Sequence, residues 1–492
     1  MSASIAVDGR AVGAALGAEA DVVVVGSGPA GAAVARACAS AGASVIVLEE
    51  GHPAQPRDFV PGGLESMAKL YRDMGTSIAF GPAPIPFLQG RAVGGTSVVN
   101  GAISWRLPRD VWEGWVAAEP RLADALPFEE LTAAEELVER RLNVAPTGAD
   151  VAGTKNLLLA RAAEALGLEH RPIRRNVKGC VGSGRCLQGC PHGAKLSVDR
   201  TFLTDAVASG ARIFSGVTAQ RVELEHGRAV AVRARAAAGG PVHVRARRAV
   251  VLAASAIQTP LLLRQSGLHR GAPGDGLMAH PGVSVTGFFD APVDNHLGAT
   301  QGHEVIGLRR EGIKVEALGF DLSILASRVP GTGRAFARAL EQLSHHAAWG
   351  AALKAEARGT VRGLGGRAYV RYALTRADVQ KAARGVRLLV ELFLAAGARE
   401  VYPMVPGAPK VVRDVAQLGE LPRDARAYSM SMTHLFSTAP LGRVLGFDFQ
   451  HPDARGLYVA DSSAFPSNTG VNPQISIMAV ALACARRVVA AS

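Results

Sequence analysis

The sequence predicts an α/β fold (α+β overall), with a Rossmann-like dinucleotide-binding domain beside a substrate domain built on a mostly antiparallel sheet. Three observations predict it. Val22, Val23, Val24 and Val25 are a run of valines without polar alternation, the pattern of a central parallel strand covered on both faces. Gly26, Gly28 and Gly31 follow at once, in a Gly-x-Gly-x-x-Gly turn that opens an Ala-rich helix running to Gly42. A second apolar strand, 44–48, then ends in Glu49.

Each of these residues has a mechanical task. Gly26 allows the tight turn, Gly28 lets backbone approach a pyrophosphate, and Gly31 lets helix pack closely on strand. The helix N-terminus offers free N–H groups and the positive end of its dipole to the phosphates. Glu49 falls where a carboxylate accepts hydrogen bonds from the adenosine ribose hydroxyls. An acid there disfavours a 2′-phosphate, which leaves FAD or NAD as the ligand.

The chain has 492 residues, more than one core usually organises, so about two domains are expected. With 48% apolar and 20% charged residues it reads as an ordinary globular protein. The formal charge of +12 comes mostly from scattered arginines. No basic run is interleaved with aromatics, so nucleic acid is not expected as a partner, while weak attraction to an anionic membrane surface fits the charge. No apolar run approaches the roughly 18 residues of a membrane span, so no transmembrane segment is expected. The first 20 residues lack the features of a secretory signal. A cytoplasmic protein, with membrane association at most peripheral, is the expectation. Three of the five cysteines cluster, which is no disulfide framework in a chain this long.

In chain order, residues 1–20 read as a poorly ordered or partly helical lead. The Pro- and Gly-punctuated stretch 51–86 wraps a surface and holds one helical piece, 63–74. Gly94, Gly95, Thr96 and Ser97, before Val98, Val99 and Asn100, read as a second helix start and a second group of backbone donors for an anion. Helical patterns follow at 131–141, 157–166 and 201–209, with strands at 212–214, 217–223, 242–247 and 249–254. Residues 281–424 alternate short apolar runs with turns around a long amphipathic helix, 376–396. Residues 19–107, 196–280 and 425–492 are thus expected to assemble the dinucleotide-binding domain. Residues 108–195 form a helical and cysteine-loop insertion over the cofactor, and 281–424 the substrate domain.

With these motifs in order, the chain resembles the glucose–methanol–choline (GMC) oxidoreductases, FAD enzymes that oxidise alcohols. The resemblance rests on the opening fingerprint, on Gly94 to Ser97 with Asn100, and on the segment Ala253 to Gly267. It also rests on the C-terminal segments around His434 and from Asp461 to Ala479. It implies that Gly26, Gly28, Gly31 and Glu49 hold the adenosine diphosphate half of FAD, with backbone near Val217 at the adenine. Gly94, Gly95, Thr96, Ser97 and Asn100 would flank the flavin, Asp461 its ribityl–phosphate chain, and the Asn472–Pro473 turn its pyrimidine end. It further implies that His434 is the general base for the hydroxyl proton and Asn472 its orienting partner. A histidine with an ordinary pKa near 6.5 suits such proton transfer at neutral pH. Ser437–Thr438 and Leu441–Gly442 stand where the family often has Gly-Thr and Met-Gly, which bears on the shape of the local pocket. His280 reads as structural, and His192, His345 and His346 as surface or packing residues.

Cys180, Cys186 and Cys190, with Pro191, leave three readings open: a [3Fe–4S] cluster, a structural loop of reduced thiols, or a disulfide between two of them. The first resembles the iron–sulfur sugar dehydrogenases of the family and the second its long-chain alcohol oxidases. Zinc would want a fourth ligand, and only His192 is near. Cys38 and Cys484 read as small core residues. The expected substrate is a small-molecule alcohol, leaning to a hydrophobic or long-chain one, with an electron-acceptor protein, quinone or oxygen taking the electrons. A FAD-containing lyase or decarboxylase on the same fold is the rival reading.

Overall fold

The computed structural model describes residues 4–491. Among these, two large sheets organise the chain. The first is parallel at its centre, with strands Arg212–Ser215, Val45–Glu49, Leu16–Val25, Pro241–Leu252 and Ala454–Val459 side by side. Val22 to Val25 are at most 4% exposed, as a strand covered on both faces requires. Register is what matters for function: Val25 pairs with Leu48 and with Leu252, and Leu252 with Val459. Four strands therefore end level with one another, and the residues that follow them share one edge of the sheet. In open parallel sheets that carboxyl edge is where ligands bind.

Helix Pro29–Ser40 lies on one face of this sheet, against helices Phe202–Ala208 and Gln474–Ala490. Its buried side chains are mostly alanines, which lets the backbones approach closely.

The lead segment departs from expectation. Val7–Asp8 pairs with Phe214–Ser215, and the first central strand begins at Leu16, not at residue 21. Leu16, Ala18 and Ala20 alternate with exposed Gly17 and Glu19, a period-two pattern carried by side chains too small to register as a strand. The expected strands 242–247 and 249–254 are one strand, Pro241–Leu252, with a register irregularity between Ala246 and Ala249. The expected helix 63–74 ends at Leu70, because Tyr71 is already extended, and Asp73 and Met74 beyond it take left-handed backbone conformations. No described helix is long and apolar enough to cross a membrane.

The second sheet is mostly antiparallel and is organised around the long strand Asp275–Phe288. That strand pairs with His346–Leu353, Gly359–Leu364, Glu400–Tyr402 and Met430–Phe436. Strand Ile313–Leu318 continues the sheet beyond His346–Leu353. Helix Arg376–Ala395 covers the sheet and starts with a reciprocal cap, in which Thr375 accepts from the Asp378 N–H and Asp378 from the Thr375 N–H. Near the end of this helix Phe393 stacks on Trp349, with ring centroids 3.9 Å apart. The Trp349 indole N–H donates to the Lys155 carbonyl at 3.1 Å.

Because Trp349 is wholly buried, Trp349→Ala is expected to destabilise the protein by about 3–5 kcal/mol. Urea unfolding followed by circular dichroism measures this; a change below about 1 kcal/mol would show that the stack is not the centre of this core.

Candidate active site

One cavity of about 670 Å³ runs along the carboxyl edge of the parallel sheet and under the antiparallel one. It is lined by Gly26, Gly28, Glu49 and Val217, by Gly95, Thr96, Ser97, Asn100 and Asp461, and by His434, Asn472 and Pro473.

The first glycine turn is built as the fingerprint requires. Gly26 has φ +100, and a Cβ there would lie 2.4 Å from the Ala253 carbonyl oxygen. Gly31 does not line the cavity; a Cβ on it would fall 1.9 Å from the Gly26 oxygen, so its task is to seat the helix against the turn. Glu49 accepts from the Ser27 N–H at 2.9 Å, the Ser27 hydroxyl at 2.7 Å and the Gly51 N–H at 2.7 Å. The carboxylate therefore ties the first turn to the second strand as well as facing the cavity.

The Gly94–Asn100 stretch is not a helix start. It makes a single 3-10 turn, Gly95–Val98, because Gly94 and Gly95 have φ of +99 and +56. This brings two glycine turns face to face, and a Cβ on Gly95 would lie 2.8 Å from the Gly28 Cα. Gly94 donates to the Ser27 hydroxyl at 3.0 Å and serves the turn, not the cavity. Asp461 accepts from the Ser255 N–H at 2.9 Å, the Thr259 hydroxyl at 2.5 Å and the Ser463 N–H at 2.9 Å. Burial raises its pKa above the usual carboxylate value.

The strand Met430–Phe436 is irregular. Thr433 pairs with His280 but Phe436 with Met278, so His434 and Leu435 stand opposite the single residue Ala279. This β-bulge, with His434 at φ +54, turns the imidazole into the cavity. The His434 Nδ1 lies 3.0 Å from the His280 Nδ1 and 3.3 Å from the Thr433 hydroxyl. The Gly470 N–H donates to the other nitrogen of His280, Nε2, at 2.9 Å. Burial, together with the nearby Lys314 cation, pushes the His434 pKa down to about 3. Burial pushes His280 well below its usual value too, with His434, Lys314 and Lys354 adding to the effect. His280 is thus a buried, neutral partner of His434 that lines the same cavity, where the sequence had suggested a structural role alone.

Asn472 accepts at Oδ1 from the Lys314 ammonium at 2.7 Å. Lys314 is buried and bonded to Glu304 at 2.9 Å and to Glu316. Glu316 also accepts from Gln301 at 2.6 Å, and Glu304 from Trp105 and Arg171, each at 2.8 Å. Apart from Asn472, none of these residues was singled out in the sequence. The only signal was Lys-x-Glu within one apolar strand, where side chains two apart share a face.

Cys180, Cys186 and Cys190 are free thiols, so the disulfide alternative is not realised. Among the described residues no group of three or more His, Cys, Asp or Glu side chains is placed to hold a metal ion. Arg175 lies against two of the sulfurs: one guanidinium nitrogen is 3.5 Å from the Cys186 Sγ and 3.9 Å from the Cys180 Sγ. Burial would raise the Cys186 thiol, but the Arg175 and Lys195 cations outweigh it and hold its pKa below the usual value. Lys195 donates to the Cys186 carbonyl at 2.8 Å and to the Asn100 carbonyl at 2.9 Å. The loop thus braces the turn that carries Asn100, whose amide bonds Gln474 at 2.5 Å at the start of the last helix.

Fold and site together define a dinucleotide-binding protein in which one cavity is lined from both large sheets. Comparison with known proteins narrows this. A family model described as GMC oxidoreductase matches residues 67–282, a second of that description matches 355–481, and an FAD binding domain model matches 21–64. An uncharacterized GMC-type oxidoreductase of Mycobacterium tuberculosis is 38% identical over 96% of this chain and 76% of its own length. A second, of Sinorhizobium fredii, is 33% identical over 94% of this chain and 93% of its own. The long-chain-alcohol oxidase FAO1 of Arabidopsis thaliana is 27% identical over 96% of this chain and 66% of its own length. Among solved structures, pyridoxine 4-oxidase from Mesorbium loti superposes with a TM-score of 0.73 at 18% identity, covering 95% of this chain and 98% of that one. The chain belongs to the GMC oxidoreductase family and is an FAD-dependent oxidoreductase. The two facing glycine turns leave no side chain where a pyrophosphate would lie, so the residues present fit that cofactor.

Gly31→Ala is expected to weaken FAD binding by about 5- to 150-fold, the effect of an overpacked contact of about 1–3 kcal/mol at the turn. The flavin-to-protein ratio of the purified variant measures this; an undiminished ratio would remove Gly31 from the cofactor site.

Proposed function

We propose that the protein oxidises the CH–OH group of an alcohol to a carbonyl, with His434 and Asn472 holding the carbinol oxygen. The observation that carries this reading is that both side chains open onto the same continuous cavity as the glycine turns and Glu49. When bound, FAD supplies the two-electron acceptor for the carbinol hydrogen. Gly26, Gly28, Glu49 and Val217 would hold its adenosine diphosphate half. Gly95, Thr96, Ser97, Asn100, Asp461 and the Asn472–Pro473 turn would hold the flavin half. The N-terminus of helix Gln474–Ala490 also reaches the cavity, and its dipole favours the negative charge that accompanies reduction. In this reading His434 would handle the hydroxyl proton and Asn472 would supply an orienting hydrogen bond.

The chamber walls favour a hydrophobic or long-chain alcohol over a sugar, since Leu88, Ile103, Val283, Leu318 and Phe320 line them. Similarity to the Arabidopsis long-chain-alcohol oxidase points the same way. With Arg175 against two of the thiols, we read the cysteine loop as a brace. Electrons would then pass directly to an acceptor such as oxygen or a quinone, not through a [3Fe–4S] cluster to a partner protein.

Primary alcohols of increasing chain length, added anaerobically, are expected to bleach the flavin bands and yield the matching carbonyl compound. Turnover of a substrate with no flavin reduction would replace this reading with a lyase. His434→Ala should slow flavin reduction by about 10²-fold or more while leaving flavin content unchanged. Stopped-flow absorbance measures both, and an unaltered rate would dismiss His434 from the reaction.

A further inference from the structure

We propose that Cys186 is an oxidation site: a buried thiolate that hydrogen peroxide converts to a sulfenic acid, that then closes to a disulfide with Cys180, and that transmits the change to the cofactor cavity. The thiol chemistry is independent of which substrate the flavin oxidises.

Three buried cations point to the thiolate. Arg175, Lys155 and Lys195 are each at most 2% exposed, and none is bonded to a carboxylate among the described residues. Lys155 donates to the Leu297 carbonyl at 2.5 Å, and Lys195 to the carbonyls of Asn100 and Cys186. The Arg175 guanidinium bonds to sulfur alone, at Cys180 and Cys186, and its Nε has no partner. A guanidinium keeps its charge, and a buried charge with no counter-charge is strongly unfavourable. Neutral thiols are weak acceptors and supply none. Cys186 is the group in contact that can, and the Thr300 hydroxyl, which accepts from the Cys186 N–H at 3.1 Å, donates to its sulfur. Asp199, the buried carboxylate that also faces Lys195, is itself held toward its neutral form by burial.

The geometry leaves room for the oxidant. A cavity of about 10 Å³, enough for one water-sized molecule, is lined by Cys180, Cys186 and Cys190 together with Arg175, Lys195 and Thr300. Cys180 and Cys190 are partly exposed, so the cluster borders solvent. Thiolates flanked by cations and close to solvent are the reactive kind. Cys180 is the partner thiol because its sulfur meets the same guanidinium nitrogen as that of Cys186.

The chemistry balances with hydrogen peroxide as the oxidant. The Cys186 sulfur attacks one peroxide oxygen, the O–O bond breaks, and hydroxide leaves. Hydroxide takes the Cys180 thiol proton and becomes water. The Cys180 sulfur then attacks the Cys186 sulfur, the S–S bond forms, the S–O bond breaks, and a second hydroxide leaves. The two sulfurs lose two electrons, the peroxide gains them, and the departing hydroxide carries off the negative charge that had held Arg175. The cofactor cavity feels the loss at two places. Leu187, next to Cys186, lines that cavity, and its carbonyl accepts from the Tyr71 hydroxyl at 2.6 Å. Lys195 ties the Cys186 carbonyl to that of Asn100, which lines the cavity as well.

Full-length, flavin-loaded protein, purified anaerobically and freed of reductant, is treated with hydrogen peroxide, denatured, alkylated and mapped by peptide mass spectrometry. Of the five cysteines, Cys180 and Cys186 are expected to lose alkylation and Cys38, Cys190 and Cys484 to keep it. A Cys180–Cys186 linked peptide should appear and be reversed by dithiothreitol. Cys186 should react at least about tenfold faster than Cys38, whose thiol burial pushes up to about 11. In Cys180→Ser the reaction should stop at a Cys186 sulfenic acid that dimedone captures. The wild-type flavin spectrum should change in step with thiol loss. Full alkylation of Cys186 after peroxide, or oxidation no faster than at Cys38, would overturn the site, and the wild-type map decides this even where a variant fails to fold. A flavin spectrum that stays fixed while the disulfide forms would overturn the link to the cavity. Iron with acid-labile sulfide in the anaerobic protein would make the thiols cluster ligands and overturn the proposal. None of these outcomes depends on an alcohol being oxidised.

Discussion

The site depends first on one constraint, that parallel strands end level. Val25, Leu48, Leu252 and Val459 are held side by side by ladder hydrogen bonds, and the residues just past them supply the glycine turn, Glu49, Ala253 and Asp461. A slip of one residue would exchange the two faces of a strand whose side chains are buried on both sides, and would pull one wall out of line. The polar contacts at the edge follow from this alignment. Glu49 can bridge Ser27 and Gly51 only because the first two strands end together. Asp461 can reach Ser255 and Thr259 only because the fourth and fifth do.

The reacting end is built on different physics. Strand Asp275–Phe288 carries His280 and pairs with the strand that carries His434, so both rings are fixed by one antiparallel ladder. The loop after Asp461 supplies Gly470 and Asn472, and strand Ile313–Leu318 supplies Lys314. Burying Lys314 with two carboxylates is worth little to stability, because desolvation offsets most of the attraction. Its value lies in orientation: an ammonium that can only donate decides which end of an amide faces the chamber.

Legibility in the sequence followed the range of the physics. The valine run, the glycine spacing and the acid after the second strand are local patterns, and each sits where it was read. So are the helix Arg376–Ala395 and the Asn–Pro turn ahead of the last helix. The lead strand was missed because glycine and alanine give alternation little contrast. The turn at Gly94 and Gly95 was taken for a helix start, since glycine before Thr-Ser is compatible with both. His280, Lys314, Glu316 and Gln301 were not legible as a group, because they converge only through strand pairing across the second sheet. The cysteine spacing was compatible with a cluster, but nothing in it revealed that Arg175, five residues before Cys180, would lie against the Cys180 and Cys186 sulfurs.

The bulge at His434 has a consequence for how this segment tolerates change. The imidazole faces the chamber because two residues oppose one across the ladder, so its aim is set by a count of residues more than by their identity. Substitutions at Leu435 alter the chamber wall and leave the direction of the ring in place. Removing one residue between Thr433 and Phe436 restores a regular ladder and swings the next side chain to the other face. Variation at Leu435 is therefore free in composition, while the segment is closed to changes of length.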